Sequence, residues 1–257
     1  MKKFVSFFVA LLLCVVVSKA HGLTYGLTVT APGNNPGETN KASATFVVVN
    51  MNLVVTLSNI ATYDPNDAQD ILTGVFLNIA GDPKLTPISA ELGPDSSVVG
   101  HSLPLGFSGD VGGEWAYRND LTKAPGGLNE GIAAANLKQF GNKKYLFPGD
   151  NLEGGKAPGG IDFGLTTLAD LPNNDRGSIK NKGLIQNTIV FTFSGLPADF
   201  GLSDITDVTF QYGKSLRSAE EITGEAMALI PEPNTIMLVA AGLAGAFAFG
   251  RRKIVPR

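Results

Sequence analysis

Residues 184–194 read LIQNTIVFTFS, and apolar side chains alternate with polar ones through most of this stretch. The same period of two recurs in residues 52–58 (NLVVTLS) and 207–212 (DVTFQY). Residues 46–49 (FVVV) are predicted to pair with the strand at Leu53, and residues 71–79 are a further strand candidate. Such patterns are typical of half-buried antiparallel strands. We therefore predict an all-β fold, a single antiparallel β-sandwich or jelly-roll-like domain over residues 21–229.

Two local predictions complete the body of the chain. Residues 131–140, which end before Gly141, are predicted to form its single helix. Residues 141–176 are rich in Gly, Pro and Asn and are predicted to be loop, with one short strand at 161–166.

The first twenty residues have the features of a secretory signal peptide. Lys2 and Lys3 precede an uncharged apolar run over 4–17, and Ser18-Lys19-Ala20 forms a small-x-small cleavage site. Cleavage is predicted between Ala20 and His21, and the alternative is a retained membrane anchor. Cys14 is the one cysteine of the chain, so the mature protein has no disulfide to stabilise it.

The last 28 residues have the features of a short membrane segment. Pro231-Glu232-Pro233 precedes an uncharged apolar run over 235–250, and Arg251, Arg252 and Lys253 follow. A helix of about 16 residues spans roughly 24 Å, which is short for a hydrocarbon core of about 30 Å. The basic cluster is predicted to remain cytoplasmic, which places the body of the chain on the other side of the membrane.

The tripeptide, the short apolar segment and the basic end together resemble the PEP-CTERM sorting signal of Gram-negative bacteria that make exopolysaccharide. The resemblance implies that residues 230–257 are a sorting tail in which exosortase recognises Pro231, Glu232 and Pro233. The other partners it implies are the secretion translocon, the inner membrane transiently, and exopolysaccharide. The alternative is a plain single-pass anchor that nothing processes.

Four segments of the body also resemble a family of exosortase-dependent surface proteins. These segments are residues 71–76, 112–117, 184–187 and 210–213. The resemblance implies a surface location and assigns no catalytic residue.

Charge and composition exclude several functions for the body. The net charge of the chain is −3; the terminal segments hold seven basic residues and one acidic residue, which leaves −9 for residues 21–230. Nucleic acid is a poor partner for so acidic a protein. His101 is the single histidine beyond position 21, and no Gly-x-Ser-x-Gly motif is present. We predict that the protein is not an enzyme and has no cofactor.

Three groups of side chains are weaker site candidates. Asp64, Asp67 and Asp70 are a weak calcium candidate whose alternative is an ordinary solvated turn, and Asp150 with Glu153 poses the same question. Trp115 and Tyr117 are two residues apart, so a strand would place both rings on one face. They are candidates for stacking on a sugar ring, with a core aromatic pair as the alternative. Glu114, Glu130 and Glu153 are carboxylates available for glycoside hydrolysis.

The sequence thus predicts an exported protein of the cell surface or extracellular matrix, held in the inner membrane as a precursor and structural or adhesive in role. The alternative is a carbohydrate-binding module or weak glycan hydrolase. A third interpretation is a periplasmic protein that stays anchored.

Overall fold

The computed structural model describes residues 24–32, 39–100, 102–103, 105–138, 144–171, 177–216, 221–224 and 229–230. The predicted signal peptide with its Ala20–His21 cleavage site lies outside these ranges. So do His101, the Pro231-Glu232-Pro233 motif, the predicted membrane helix and the basic cluster at Arg251, Arg252 and Lys253. Within the described ranges, no helix has the length and apolar character needed to cross a membrane.

The regular secondary structure of the described residues consists of β-strands with short 3₁₀ turns between them, which confirms the all-β prediction. The strands are β1 (Thr24–Pro32), β2 (Thr39–Val49), β3 (Asn52–Asn59), β4 (Leu72–Ile79), β5 (Thr86–Leu92), β6 (Ser97–Val99), β7 (Ala116–Arg118), β8 (Glu130–Ala133), β9 (Leu165–Thr166), β10 (Leu184–Gln186), β11 (Thr188–Ser194), β12 (Ile205–Tyr212), β13 (Glu221–Gly224) and β14 (Leu229–Ile230).

Two sheets share these strands. Sheet A has the order β14-β1-β2-β3-β11-β5, and all of its pairs are antiparallel. Sheet B has the path β13-β12-β4-β9-β10-β6, with β8 on β4 and β7 on β8. Its one parallel pair is β9 with β10. As predicted, the segment at 46–49 pairs with the strand at Leu53, since Val48 lies opposite Leu53.

The two sheets pack on one common apolar core. Sheet A contributes alternate residues of β2, β3 and β11, among them Phe46, Val55 and Phe191. Sheet B contributes alternate residues of β4 and β12, among them Val75 and Phe210. The alternation of apolar and polar residues in these strands is explained by this packing, because every second side chain enters the space between the sheets.

The stretch at 184–194 is two strands, and it changes sheet at Asn187. Its first part is β10 in sheet B and its second part is β11 in sheet A. Asn187 has φ 82°, a left-handed conformation that Asn tolerates better than most residues, and its side-chain amide donates to the Pro94 carbonyl at 3.0 Å. Every second residue from 185 to 193 is apolar except Asn187, and this polar exception is the residue at the corner.

Sheet B is covered on its second face as well. A separate apolar cluster forms there around Phe76 of β4, and the Phe147 ring lies 6.2 Å from the Phe76 ring. The other members come largely from β7, β8 and the segments around them; they include Leu121, Leu128 and Leu146. The molecule therefore has three layers: sheet A, sheet B and this outer apolar layer, which we call the cover layer.

The helix predicted over 131–140 is wrong. The segment begins as β8, pairs with β4 on one side and β7 on the other, and contains no helix up to Lys138 within the described part of the chain. Small side chains allow it to lie flat between neighbours: a Cβ at Gly131 would fall 2.5 Å from Phe76 Cδ1. Tertiary packing here overrides the helix preference of the alanines. The strand predicted at 161–166 is shorter than expected and consists of β9 alone.

Candidate functional site

The sorting tail begins where the folded body ends, with no linker between them. Leu229 and Ile230 form β14 and pair with Tyr25 and Thr24 of β1. Pro231 is the next residue of the chain, and His21 precedes Thr24 by three residues. The two segments predicted to be cut, at the signal peptide and at the motif, are thus attached to neighbouring strands at one end of sheet A.

Trp115 and Tyr117 both face the core between the sheets, because side chains two residues apart on an extended chain point to the same side. The Trp115 ring is fully buried, meets the Phe191 ring edge-on at 5.1 Å and donates from Nε1 to the Phe163 carbonyl at 3.1 Å. Tyr117 is half-buried and lies 4.9 Å from the Phe193 ring. Because a buried indole presents no face to a sugar, the geometry corrects the stacking interpretation and favours the core alternative for Trp115.

Glu130 of β8 and Tyr117 of β7 form a polar pair on adjacent strands of sheet B. The Tyr117 hydroxyl donates to Glu130 Oε2 at 2.7 Å, and Glu130 is fully buried on β8. Burial raises the pKa of Glu130 to about 7, opposed by the tyrosine hydrogen bond and reinforced by Asp82. Burial and the nearby Glu130 charge also raise the pKa of Tyr117. Sequence reasoning missed this pair, because the residues that follow Glu130 were predicted to form a helix and not a strand paired with β7.

A second group of carboxylates surrounds the 3₁₀ turn Gly112–Glu114. Burial raises the pKa of Glu114, and the charges of Asp162 and Glu153 add to that rise. The Glu153 side chain lies over the turn, because a Cβ at Gly113 would be 3.1 Å from its Oε2. The neighbouring Asn151 fixes this loop by accepting from the amides of Glu153 and Gly155. The structure thus brings together Glu114 and Glu153, while Glu130 forms its contacts elsewhere.

The side chains of Asp67 and Asp70 form a capping box at the 3₁₀ turn Ala68–Asp70. The Asp67 side chain accepts from the Gln69 amide at 3.3 Å, and the Asp70 side chain accepts from the Asp67 amide at 3.0 Å. Asp70 is fully buried, whereas Asp64 is half-buried. These oxygens accept hydrogen bonds from backbone N–H groups, which favours the turn alternative over the calcium site, and the turn is more buried than predicted. Across the described ranges, no group of three or more His, Cys, Asp or Glu side chains is placed to hold a metal ion.

The outward face of sheet A carries small hydroxyl and β-branched side chains. It is formed by half-exposed alternate residues of β2, β3 and β11, which include Ser43, Thr45, Val54, Thr56, Val190 and Thr192. These strands lie side by side in register in the middle of the sheet. Half-exposed side chains on three adjacent strands form one continuous contact area.

Comparison with known proteins identifies the C-terminal segment. Residues 229–253 match the family model of the PEP-CTERM protein-sorting motif, which confirms the resemblance drawn from the sequence. The motif implies that the protein is exported and processed by exosortase. A search of the curated proteins finds no match to the chain.

Proposed function

We propose that the protein is a non-catalytic component of the cell surface or extracellular matrix, structural or adhesive in role. It crosses the inner membrane through the secretion translocon and is held there as a precursor by its tail. Exosortase then cuts near Pro231–Pro233 and releases it. The observation that carries the proposal is the PEP-CTERM motif at residues 229–253, directly continuous with the last strand of the folded body.

The pairing of β1 with β14 supports this route. Thr24 lies opposite Ile230, so the signal peptide and the tail leave the body from the same end of sheet A. Both apolar segments can therefore reach one membrane without unfolding the sheet between them. Removal of both then leaves a body whose net charge is −9, which suits a hydrated matrix.

The shape of the body supports a structural or adhesive role. The one tryptophan is in the core, and the outward face of sheet A carries half-exposed threonine, serine and valine on adjacent strands. A sheet face of this kind suits contact with extended polymers or neighbouring proteins, because small ligands bind mainly in concave apolar sites.

The motif is tested by replacing Pro231-Glu232-Pro233 with three alanines in the native host. We expect the variant to stay in the membrane fraction with its tail intact, because exosortase no longer recognises it, while the wild-type chain is shortened at this site. Intact mass measurement of both fractions reads the result. Pro256→Ala is the matched control, since Pro256 lies in the same tail beyond the matched residues. Normal shortening of the triple-alanine variant would contradict the proposal.

A glycan hydrolase is the second candidate, because the raised pKa of Glu114 beside Glu153 is the property of a general acid. Incubation of the protein with the host's exopolysaccharide would then release new reducing ends, and Glu114→Gln would abolish the release. Glu91→Gln, an exposed substitution on β5, serves as the control. The absence of new reducing ends with the wild-type protein would exclude this candidate.

A further inference from the structure

The hairpin that joins β2 to β3 carries an exposed apolar tip. Val49 lies opposite Asn52, which leaves Asn50 and Met51 as a two-residue turn. Val49 is 47% exposed and Met51 is 52% exposed. No residue from Ala42 through Tyr63 is charged, so no charged neighbour in the hairpin opposes contact of the tip with an apolar environment. We call residues 49–51 the hairpin tip.

Met51 is in a conformation that its side chain disfavours. The φ values of Asn50 and Met51 are 51° and 64°. Two-residue hairpin turns with positive φ at both positions strongly prefer Asn-Gly, since Gly adopts this conformation freely. The tip has the expected Asn but carries methionine where glycine is favoured. An apolar side chain that is both strained and exposed stabilises neither the fold nor solubility, which indicates a role in contact.

Strand register places the hairpin tip at the end of the molecule from which the tail departs. Ile230 lies opposite Thr24, and Thr24 lies opposite Val47 on the next strand. Because β14 and β2 are both antiparallel to β1, the chain leaves Ile230 in the direction in which β2 runs towards the tip. The turn lies three residues beyond Val47, which is about 10 Å at 3.3 Å per residue.

The distance to the membrane follows from the length of the tail. The apolar run begins at Thr235, five residues after Ile230, and five extended residues span at most about 17 Å. The hairpin tip therefore falls short of the level at which the apolar segment enters the bilayer by at most about 7 Å, and a less extended tail brings the two levels closer or places the tip in the headgroup layer. The headgroup layer on each side of a bilayer is about 5–7 Å thick.

We infer that the hairpin tip is a second membrane contact, which inserts Met51 and Val49 among the phospholipid headgroups while the tail is in the bilayer. The inference rests on the anchored precursor of the proposed function. Two apolar side chains bind lipid weakly by themselves, but the tail keeps them at high effective concentration beside the surface. The contact fixes the orientation of the body and presents the motif to a membrane enzyme at a constant height.

The test places a fluorescent label at the tip of the full-length chain. In a Cys14→Ser background, Met51→Cys is labelled with an environment-sensitive nitrobenzoxadiazole dye and reconstituted into vesicles of phosphatidylethanolamine and phosphatidylglycerol. We expect blue-shifted emission and several-fold stronger quenching by headgroup-region doxyl lipids than in the control. Val49→Cys provides a second position should the first variant fold poorly.

Leu168→Cys is the matched control, because Leu168 is a more exposed apolar side chain at the opposite end. It follows β9, whose Leu165 carbonyl accepts from Asn59 at the far end of β3, about 23 Å from the turn. A label at 51 or 49 as free of quenching as the label at 168 would overturn the inference. Vesicle flotation separates the two proposals: a chain that floats with an aqueous tip refutes the tip contact alone, and a chain that does not float refutes the anchor and the tip contact together.

Discussion

Sheet A and sheet B have similar strands and different surroundings. Sheet A has one buried face, and its other face is an open surface of small hydroxyl and β-branched side chains. Sheet B is buried on both faces, by sheet A on one side and by the cover layer around Phe76 on the other. The difference shows that sheet B is the central layer of the molecule, so that its outward side chains contribute to stability as core residues do.

The largest expected effect compares outward residues of the two sheets. Phe76→Ala removes a fully buried ring from the outward face of sheet B and should lower the free energy of unfolding by about 3–5 kcal/mol. Val190→Ala, on the outward face of sheet A, should cost about 1 kcal/mol or less. Urea unfolding of both variants measures the difference, and equal costs would remove the distinction between the sheets.

The buried carboxyl of sheet B should make stability depend on pH. Because the folded-state pKa of Glu130 is raised to about 7, above its usual value of 4.5, the folded protein retains a proton that the unfolded chain releases. The penalty of ionising the buried carboxyl is absent below about pH 4.5, grows as pH rises and is complete above about pH 7, where it is on the order of 3 kcal/mol.

Glu130→Gln should remove this pH dependence and retain an acceptor for the Tyr117 hydroxyl. Unfolding measured from pH 4.5 to 8.5 would show the variant gaining stability over the wild type as pH rises. The control is Glu91→Gln in sheet A, which should leave the wild-type slope in place. A slope that survives in Glu130→Gln would show that another group is responsible.

Crowding at the junction of sheet B and the cover layer is the next test. Gly131→Ala places a methyl group against the Phe76 ring and Leu121 and should cost about 1–3 kcal/mol. Gly149→Ala, where no atom lies within 4 Å of the added group, should be neutral or stabilising by less than about 1 kcal/mol. Thermal unfolding of the pair measures both effects. A neutral Gly131→Ala would mean that the cover layer is loosely packed.

The smallest effect is a gain at the exposed end of sheet A. Met51→Gly should stabilise the protein by up to about 1 kcal/mol, because relief of the left-handed strain exceeds the added entropy of glycine. Asn50→Gly in the same turn should change stability little, since Asn tolerates this conformation. Chemical unfolding of both variants checks the comparison. A loss of stability in Met51→Gly would show that the side chain packs on the fold.

The sequence predicted the part of the fold in which one face of a strand meets solvent. Leu53, Val55 and Leu57 alternate with half-exposed residues, and the β2–β3 pairing was predicted correctly from that pattern. β8 has no such alternation, because all four of its residues are buried and three of them are Gly, Ile and Ala. A strand that lies between two apolar layers shows no alternation of apolar and polar residues. The segment with its small side chains was therefore interpreted as a helix.

The same physical limit applies to the sites. The motif at Pro231–Pro233 was predicted because a sorting tail is recognised by residues that are contiguous in the sequence. The Glu130–Tyr117 pair joins residues 13 apart, and nothing in their spacing indicates that a hairpin of sheet B places them in contact. Likewise, the burial of Trp115 depends on Phe191 and Phe163, which are distant in the sequence.

The pairing of β1 with β14 also governs when the protein can finish folding. Thr24 is made first and its partner Ile230 is made about 200 residues later, so the edge of sheet A stays incomplete until nearly all of the residues 24–230 have been synthesised. Contacts this distant in sequence form late, after local hairpins such as β2–β3. Completion of the sheet thereby coincides with arrival of the tail, and the body acquires its last strand only when the segment that marks it for release is already in place.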